Sequence, residues 1–462
     1  MDGLPDELLV RILSLLFSSR HLYSCSLVSK RWAHLVRLVT HFSLESTSAA
    51  AEEQGLVRWF GSSNTGTNLR SLSFSAAPSP KRCCSLGWLE GIGKNLHSLS
   101  IGSYTRFVDG FWSSIAACQK LRCLHIDAML DPLPAEAAPP ILPNLRLCFL
   151  EGGVDVFTLQ QLLAHWKSLV HLKLNNVVVK SPGTYLLESQ SLDSLFLRTR
   201  KSVHVNFSIA LDMPKLRCMF CNAVPRVELL PSTCNVEWIK LHGDVRDIQG
   251  LRLSKLKMLT IGSTFASSAH LTQRLEPIVS RKSSLGGIRE LHLLLSPAVL
   301  PHPRSVNLAA LLEPFHGLEV LEVARRAIKL LSLEEWSDRH APLRVRIFSP
   351  YSTEVDVESA WNSDEVEFVW GLMGSSSCVT LLEIQSLAGC RVPEERRPRI
   401  PGAIQEVADA FPGRVKLHPF RYQVPRMCGQ LWHLIKAGVY SEALHTESDH
   451  PCKCVDVVTM CA

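Results

Sequence analysis

The opening residues place apolar side chains at the spacing of one helical face. Pro5 and the two acidic residues behind it make a good helix start, because proline fits a first turn and carboxylates favour the positive end of the helix dipole. The apolar positions that follow at helical spacing are Leu8, Ile12, Leu15 and Leu16. Two further short apolar segments cover residues 22–27 and 28–39. The pattern predicts three short helices at the start of the chain.

From residue 69 onward the dominant pattern is a hexapeptide of the form leucine-x-x-leucine-x-leucine, with conservative replacements. Its copies begin at Leu69, Leu96, Leu121, Leu145, Leu169, Leu192, Leu216, Val236, Leu256, Ile288 and Leu318. Successive copies start 20 to 32 residues apart, and there are a degenerate copy around Leu343 and a further one at Val379. The alternation within each copy predicts a strand whose leucines are buried.

Between several copies the apolar spacing changes from that of a strand to that of a helix. One such face holds Leu159, Leu162, Leu163 and Trp166, and another holds Leu308, Leu311, Leu312 and Phe315. The repeating unit is therefore predicted to be a strand followed by a helix. Residues 401–417 predict a closing helix and strand, and the long spacings after residue 256 indicate insertions or an irregular end.

The third and fifth positions of the hexapeptides form a candidate binding surface, because they point away from the leucines along each strand. In the central repeats, aromatic and positively charged residues gather at these positions. They are Phe149, His171, Lys173, Phe196, Phe220, Trp238 and Lys240. Exposed aromatic groups next to cations favour a partner with apolar and negative features. The alternative is that several of these aromatics pack against neighbouring repeats and bind nothing.

Composition and charge narrow the class of protein. Of the 462 residues, 46% are hydrophobic and 20% are charged, which is typical of an ordered, folded chain. The net charge of +6 arises from Lys and Arg scattered along the sequence, without a stripe of basic residues interleaved with aromatics. Binding to nucleic acid is therefore not implied.

Cysteine content and hydropathy bear on the compartment. The 15 cysteines are irregularly spaced, which favours a reducing compartment, the cytoplasm or the nucleus, over a disulfide framework. The apolar stretch 8–17 is preceded by acidic residues where a secretory signal carries positive charge. Since other apolar stretches are shorter than the roughly 20 residues that a membrane-spanning helix needs, we expect no association with the membrane.

Motifs that carry chemistry are weak in this sequence. Cys218 and Cys221 have the spacing of a metal or redox pair, but Cys221 occupies a core position of a repeat, which favours a structural role. The C-terminal residues His445, His450, Cys452 and Cys454 could hold a metal, but such small clusters also arise by chance. Motifs for a nucleophilic serine, a zinc-binding helix or a phosphate-binding loop are absent from the sequence. We therefore expect neither catalysis nor a metal or other cofactor.

The first forty residues resemble the F-box family in the order and spacing of two motifs, Leu4-Pro5-Asp6-Glu7-Leu8 and Val28-Ser29-Lys30-Arg31-Trp32. Ser29 stands where the family commonly has cysteine, and the resemblance covers about a tenth of the chain. It implies binding to a Skp-type adaptor through Leu4, Pro5, Leu8, Ile12 and Val28, with Trp32 in the internal core. The alternative is that these residues only form the core of a small helical cap.

The repeats resemble the leucine-rich-repeat family, which stacks strands and helices in the same way. The asparagine or cysteine ladder of that family is mostly absent, and Tyr104, Met129 and Val177 occupy the expected positions. The two resemblances imply an α/β chain. Its parts are an F-box three-helix module over 1–45, a leucine-rich-repeat solenoid over 46–420 that is irregular after about 330, and a tail over 421–462. In the solenoid, parallel strands form the concave face and helices lie outside.

These resemblances imply a role in ubiquitin transfer. The chain would be the substrate-recognition subunit of a Skp-cullin-F-box ubiquitin ligase, with the adaptor and, through it, cullin at the F-box and a protein substrate on the repeats. The chemistry would belong to the partners, because the chain would act by proximity and not as an enzyme. One alternative is a repeat scaffold that is not engaged in a ligase. A second is an enzyme whose site lies after residue 330.

Overall fold

A computed structural model describes most of the chain in two compact units. One unit takes in described residues of Met1–Phe207 and Leu211–Lys215, and the other those of Ser208–Ala210 and Leu216–Cys428. The residues that the structure describes are 4–14, 19–46, 68–76, 83–84, 86, 89–104, 106–107, 110–128, 130, 133, 139–199, 206–242, 247–249, 255–263, 287–295, 306–334, 336, 342–349, 361–374, 378–387 and 402–421.

Three short helices open the first unit, as the apolar spacing predicts. They are α1 (Asp6–Ser14), α2 (Ser19–Ser26) and α3 (Lys30–Val36). The side chains that form their core are Leu9, Leu13, Leu22, Leu35 and Val36, each at most 1% exposed. The face of α1 that packs inward is therefore one residue removed from the predicted face at Leu8 and Ile12, while Leu15 and Leu16 lie outside the described residues.

The rest of the first unit is a stack of parallel strands with short helices between them. The strands are β1 (His41–Ser46), β2 (Ser71–Ala76), β3 (Cys83–Cys84), β4 (Ser98–Tyr104), β5 (Arg106–Phe107), β6 (Cys123–Ala128), β7 (Leu147–Leu150), β8 (Val154–Asp155), β9 (His171–Val178), β10 (Gly183–Glu188) and β11 (Ser194–Thr199). The helices are α4 (Leu89–Ile92), a 3₁₀ turn (Gly93–Asn95), α5 (Phe111–Ala116) and α6 (Val156–His165). The main sheet runs in the order β1-β2-β4-β6-β7-β9-β11, and all of its neighbours are parallel.

The second unit repeats this plan. Its strands are β13 (Cys218–Asn222), β14 (Arg226–Leu229), β15 (Trp238–His242), β16 (Asp247–Gln249), β17 (Met258–Ser263), β18 (Glu290–Leu295), β19 (Val306–Asn307), β20 (Val320–Ala324), β21 (Leu331–Ser332), β22 (Leu343–Ser349), β23 (Val379–Leu387) and β24 (Val415–Arg421). Its helices are α7 (Leu308–Leu312), a 3₁₀ helix (Arg325–Leu330), α8 (Ser363–Gly374) and α9 (Gly402–Ala410). The main parallel order is β13-β15-β17-β18-β20-β22-β23-β24. Strand β12 (Phe207–Asp212) contains residues of both units.

The hexapeptide leucines form the core of each stack. In the copy that begins at Leu169, the first, fourth and sixth positions are Leu169, Leu172 and Leu174, and all three are buried. Because the same positions are aligned from strand to strand, for example Leu172 beside Leu195, each repeat covers the apolar side chains of its neighbour. This confirms the α/β fold class, an N-terminal helical module followed by solenoid-like stacks of parallel strands.

Helices lie between strands at the positions where helical apolar faces are predicted. Helices α6 and α7 bury Leu159, Leu162, Leu308 and Leu312, and side chains of Asp155 and Asn307 cap their first turns. The closing helix α9 and strand β24 are likewise present. These elements confirm the three predictions made from changes of apolar spacing.

The expectation of a helix in every repeat is wrong over residues 179–249. The described elements between the main strands there include the short strands β10, β14 and β16, of which β14 and β16 pair in parallel. Copies that begin at residues 216, 236 and 256 are only 20 residues apart. A period this short leaves too few residues for a helix and two turns, and an extended segment covers the core instead.

The domain boundaries at residues 45 and 420 stay predictions, and the tail over 421–462 lies almost wholly outside the described residues. Within the described part of the chain, no helix is long and apolar enough to cross a membrane.

We expect Leu159→Ala to lower the free energy of unfolding by about 2–5 kcal/mol, because it leaves a cavity beneath α6. Gln161→Ala, on the exposed side of the same helix, is the control and should change stability by at most about 0.5 kcal/mol. Urea unfolding followed by circular dichroism measures both. Equal effects of the two substitutions would show that α6 does not pack on the sheet through Leu159.

Candidate functional site

Helix α1 exposes apolar side chains on one side and buries apolar side chains on another. Leu8 and Ile12, four residues apart and therefore on one face, are each 47% exposed. Leu9 and Leu13, one position further along, are 1% and 0% exposed. The exposed pair is thus not required to hold the three helices together.

The turn between α2 and α3 exposes a second apolar group. Leu27 is 69% exposed, Val28 is 67% exposed, and Tyr23 on α2 is also exposed. Of nine large hydrophobic residues that are exposed among the described residues, five lie between residues 8 and 28. Such a concentration of exposed apolar side chains is typical of a surface that a partner covers.

Arg31 connects the two halves of this helical module. Its guanidinium donates hydrogen bonds to Asp6 Oδ1 over 2.9 and 2.7 Å and to the carbonyl oxygen of Leu4 over 2.6 Å. The contact therefore holds the Leu4-Pro5 segment against α3, with Leu4 partly buried and Pro5 exposed. The sequence shows Arg31 within the second motif, but its bond to a residue 27 positions earlier depends on the fold.

The ends of the helices are satisfied locally. The Ser29 hydroxyl accepts a hydrogen bond from the Trp32 amide and caps α3, so serine serves at the position where the F-box family commonly has cysteine. The buried Ser14 hydroxyl accepts a bond from the Thr40 amide over 3.2 Å, which ties α1 to the start of β1. Trp32 is only partly buried, so the expectation that it serves the internal core is met only in part.

Four of the seven predicted substrate-contact residues lie together on one face of the first unit. Phe149, Lys173 and Phe196 are aligned across β7, β9 and β11, and His171 lies two residues before Lys173 on β9. Phe149, His171 and Phe196 are partly exposed, whereas Lys173 is buried. The parallel register thus brings together residues that are far apart in the sequence, as the hexapeptide positions predict.

Lys173 is buried because an acidic residue and an aromatic ring surround it. Its ammonium donates a hydrogen bond to Glu151 Oε1 over 2.9 Å and lies 5.5 Å from the ring centroid of Phe196. On the other side of Glu151, His125 Nε2 is 3.8 Å from Oε2, and His125 Nδ1 is 2.9 Å from the Ser100 hydroxyl. Lys173 is therefore not a free positive charge that awaits a substrate.

Glu151 owes its ionisation to these neighbours. Burial by itself would raise the pKa of this carboxyl, but His125 and the Lys173 ammonium outweigh burial and hold the pKa at about 2. The position of Glu151, directly after β7, lies outside the third and fifth hexapeptide positions, and sequence reasoning for this reason missed it. It is the residue that allows a lysine to be buried on this face.

The remaining three predicted contact residues lie in the second unit. Phe220 on β13 is aligned with Lys240 on β15, and the Lys240 ammonium is 5.7 Å from the Phe220 ring centroid. Phe220 is fully buried and Lys240 is 5% exposed, so the expectation that these two side chains are exposed is wrong. Trp238 is partly exposed, and among the described residues its indole N–H has no hydrogen-bond partner. That these residues contact a substrate stays a prediction.

Buried lysines and aromatics on a sheet face have a common physical cause. Neighbouring parallel strands lie about 4.8 Å apart, so a long side chain at the fifth position lies across the ring at the same position of the next strand. Lys173 and Lys240 both cover a phenylalanine in this way. Periodicity predicts which side of the sheet a residue occupies, but it does not predict how much its row neighbours cover it.

The Cys218 and Cys221 pair is structural in its surroundings. The two residues are three apart on β13 and therefore point to opposite faces of the sheet. Both are buried, and burial raises the pKa of Cys221 to about 12. Among the residues for which the structure gives coordinates that can be described, no group of three His, Cys, Asp or Glu side chains could hold a metal. The cluster His445, His450, Cys452 and Cys454 lies outside those residues.

We expect Glu151→Gln to destabilise the first unit by about 3 kcal/mol at neutral pH, because Lys173 then loses its buried charge partner. The pKa of Glu151 is lower in the folded chain than the usual 4.5, so the ionised carboxylate stabilises the fold above about pH 4.5. This contribution is lost as the pH falls toward about 2, and the variant and wild type should converge there.

Denaturant unfolding at a series of pH values measures this effect. Glu188→Gln removes an exposed carboxylate on β10 and should leave stability within about 0.5 kcal/mol at every pH. A constant difference between Glu151→Gln and wild type from neutral pH down to about pH 2 would contradict the ion-pair interpretation.

Comparison with known proteins agrees with the helical module. A family model described as F-box-like matches residues 1–42. Two FBD-associated F-box proteins of Arabidopsis thaliana are each 29% identical, over 257 and 253 residues that cover 48% and 52% of this chain. The matches cover 61% and 53% of those relatives' own lengths. A probable FBD-associated F-box protein of the same plant is 26% identical over 301 residues, 59% of this chain and 71% of its own length.

Among solved structures, an internalin from Listeria monocytogenes aligns with 82% of this chain and 96% of its own, at 12% identity and a TM-score of 0.32. The assignment of the repeats rests instead on the parallel strand order and the aligned leucines of each unit. The chain therefore carries an F-box-like domain at its N-terminus, followed by leucine-rich-repeat-like stacks of parallel strands, and the relatives that it matches are F-box proteins.

Proposed function

We propose that this chain is the substrate-recognition subunit of a Skp-cullin-F-box ubiquitin ligase. Residues 1–45 would dock a Skp-type adaptor and, through it, a cullin, while the repeats bind a protein substrate. The observation that carries the proposal is the exposed apolar surface of the F-box-like domain. The wider ligase role is inferred from that domain and from the F-box relatives.

The exposed surface comprises Leu8 and Ile12 on α1 and Leu27 and Val28 at the turn before α3. Fully burying an aliphatic side chain of this size is worth about 1.5–3 kcal/mol, so a partner that covers all four would gain several kcal/mol. The module retains its own core of Leu9, Leu13 and Leu35 without them. It can therefore offer these side chains to an adaptor without unfolding.

Arg31 supports the same interpretation. Its bonds to the Leu4 carbonyl and to Asp6 pre-order the Leu4-Pro5 segment before a partner arrives. Pre-ordering lowers the entropy lost on binding, which favours affinity. Leu4, Pro5, Leu8, Ile12 and Val28 remain the proposed adaptor contacts, and Leu27 is added on the ground of its exposure.

A substrate would use the sheet face of the repeats. The partly exposed Phe149, His171, Phe196 and Trp238 are the proposed direct contacts, while Lys173, Lys240 and Phe220 would support them from below. We propose that the chain itself does no chemistry and that ubiquitin transfer gains rate from the proximity of substrate and enzyme. Residence in the cytoplasm or nucleus, where such ligases would meet their substrates, is part of the same proposal.

We expect Leu8→Ala/Ile12→Ala to weaken binding of a purified Skp-type adaptor by at least about tenfold, because the pair would lie in the buried centre of the interface. The matched control is Glu7→Ala/Arg11→Ala, which changes exposed residues of the same helix and should have a much smaller effect. Isothermal titration calorimetry measures affinity, and circular dichroism verifies that each variant is folded.

Two outcomes would redirect the proposal. If folded wild-type chain does not bind the adaptor, the repeats act as an interaction scaffold outside a ligase. If the adaptor binds but the control variant loses as much affinity as Leu8→Ala/Ile12→Ala, the interface lies on another face of α1.

A further inference from the structure

The start of each main strand fixes one residue of every repeat in a common row. In the hexapeptide, the second residue offers its carbonyl oxygen to two successive amides of the next repeat. The Arg122 carbonyl, for example, accepts from the Arg146 amide over 2.9 Å and from the Leu147 amide over 3.0 Å. The Arg70 and His97 carbonyls accept in the same way from the repeats that follow them. Second-position residues therefore lie side by side at the edge where strands begin, about 4.8 Å apart.

In the first unit, four consecutive members of this row are basic. We call Arg70, His97, Arg122 and Arg146 the basic row. The three arginines are exposed, and His97 is partly exposed. Lys120, two residues before Arg122, lies at the same edge and donates a hydrogen bond to Asn95 Oδ1 over 2.9 Å. The row ends where Val170 and Asp193 take the next two positions.

The corresponding row of the second unit has the opposite design. There the second positions alternate in sign and pair with each other. Glu237 binds Lys257 over 2.8 Å, and Arg289 binds Glu319 over 3.0 Å. The architecture therefore does not demand a run of one sign at this position. Like charges on neighbouring strands destabilise a sheet, so the basic row carries a cost that its counterpart avoids.

Two shallow depressions follow the basic row. One is lined by Arg70, His97, Lys120 and neutral side chains such as Asn95, although Asp6 and Glu7 lie at its end nearest the F-box-like domain. The other is lined by Arg122, Arg146, Asn144, Ser168, Pro143 and Val170. Guanidinium groups in the second depression stand beside amide and hydroxyl groups, and guanidinium donates well to carboxylates.

We propose that the basic row binds an acidic segment of a protein partner, with Arg122 and Arg146 as its central contacts. Four row positions span about 14 Å, the length of four or five extended residues. Among the described residues that line the two depressions there is no Phe, Tyr or Trp, so stacking platforms for nucleic-acid bases are lacking. An Asp- and Glu-rich peptide therefore fits this edge better than a nucleic acid does.

This surface is distinct from the F-box contacts and from the third- and fifth-position face of the sheet. Binding of an acidic segment needs no adaptor, and only the fate of the bound partner, ubiquitination, rests on the proposed function. The two proposals can consequently fail separately.

The test uses the full chain and a fluorescent peptide that carries five consecutive Asp and Glu residues. Fluorescence anisotropy in low salt should show binding that weakens about tenfold in Arg122→Gln/Arg146→Gln, since each exposed ion pair contributes a few-fold. Lys257→Gln/Arg289→Gln, which removes the same net charge from the paired row, should bind like wild type. High salt should weaken the wild-type binding, because it screens exposed charges.

Further arms decide between occupants. A peptide with Asn and Gln in place of Asp and Glu should not bind. The proposal is overturned if wild-type chain does not bind the acidic peptide, if the neutral peptide binds equally well, or if both double variants lose the same affinity. Tighter binding of a single-stranded oligonucleotide than of the peptide would overturn it in favour of a nucleic-acid partner. Thermal unfolding of each variant checks that a loss of binding is not a loss of fold.

Discussion

The pair of amides that enters each strand sets the register on which the rest of each stack depends. The Val170 carbonyl accepts from the amides of Asp193 and Ser194, and the Lys257 carbonyl accepts from those of Arg289 and Glu290. The two connections differ in length, since the hexapeptides begin 23 residues apart in the first case and 32 in the second. Both chains nevertheless re-enter at the same point. Because backbone groups inside a fold must be paired, this entry is repeated while loops vary. Leucines are thereby aligned, and each repeat buries an apolar face that it could not bury alone.

Exact alignment of the backbone makes rows of side chains interact along the stack. A charge at the fifth position of one strand is settled by the residue at the same position next door, or by a residue just beyond the strand. Arg346 and Glu383 pair over 2.8 Å across β22 and β23, whereas Lys173 takes its partner from Glu151 after β7. Desolvation of such charges is costly, and their pairing offsets it. Rows with balanced charge therefore contribute to the structure, and a row of one sign attracts attention as a binding surface.

The F-box-like domain follows a different constraint. A module of about forty residues buries only a small core, so it cannot cover every apolar side chain that its helices carry. In α1 the division is sharp, since neighbouring pairs, Leu8 and Leu9 or Ile12 and Leu13, differ from about half exposed to buried. Arg31 then holds the chain before α1 in place through the Leu4 carbonyl. A small core and an ordered exposed surface are together suited to a domain that completes itself against a partner.

Much of this organisation is determined by sequence patterns alone, because backbone periodicity is local. The hexapeptide predicts the strands, the helical spacing predicts α6, α7 and α9, and the two F-box motifs predict the first domain. The number of residues between repeats decides whether a helix fits, yet the pattern by itself did not show that β10, β14 and β16 take its place. Sequence also predicts which row a side chain joins, and so the alignment of Phe149, Lys173 and Phe196.

Only the tertiary structure decides what each side chain meets. The burial of Phe220 and Lys240, the Glu151 carboxylate beneath Lys173 and the bond from Arg31 to Leu4 all join residues that are not neighbours in the sequence. The basic row shows the same limit, since its members are 24 to 27 residues apart and look scattered along the chain. Parallel strands with a fixed entry point bring them within about 5 Å of each other. Charge and burial depend on these distances in space, which sequence spacing encodes only after the register is known.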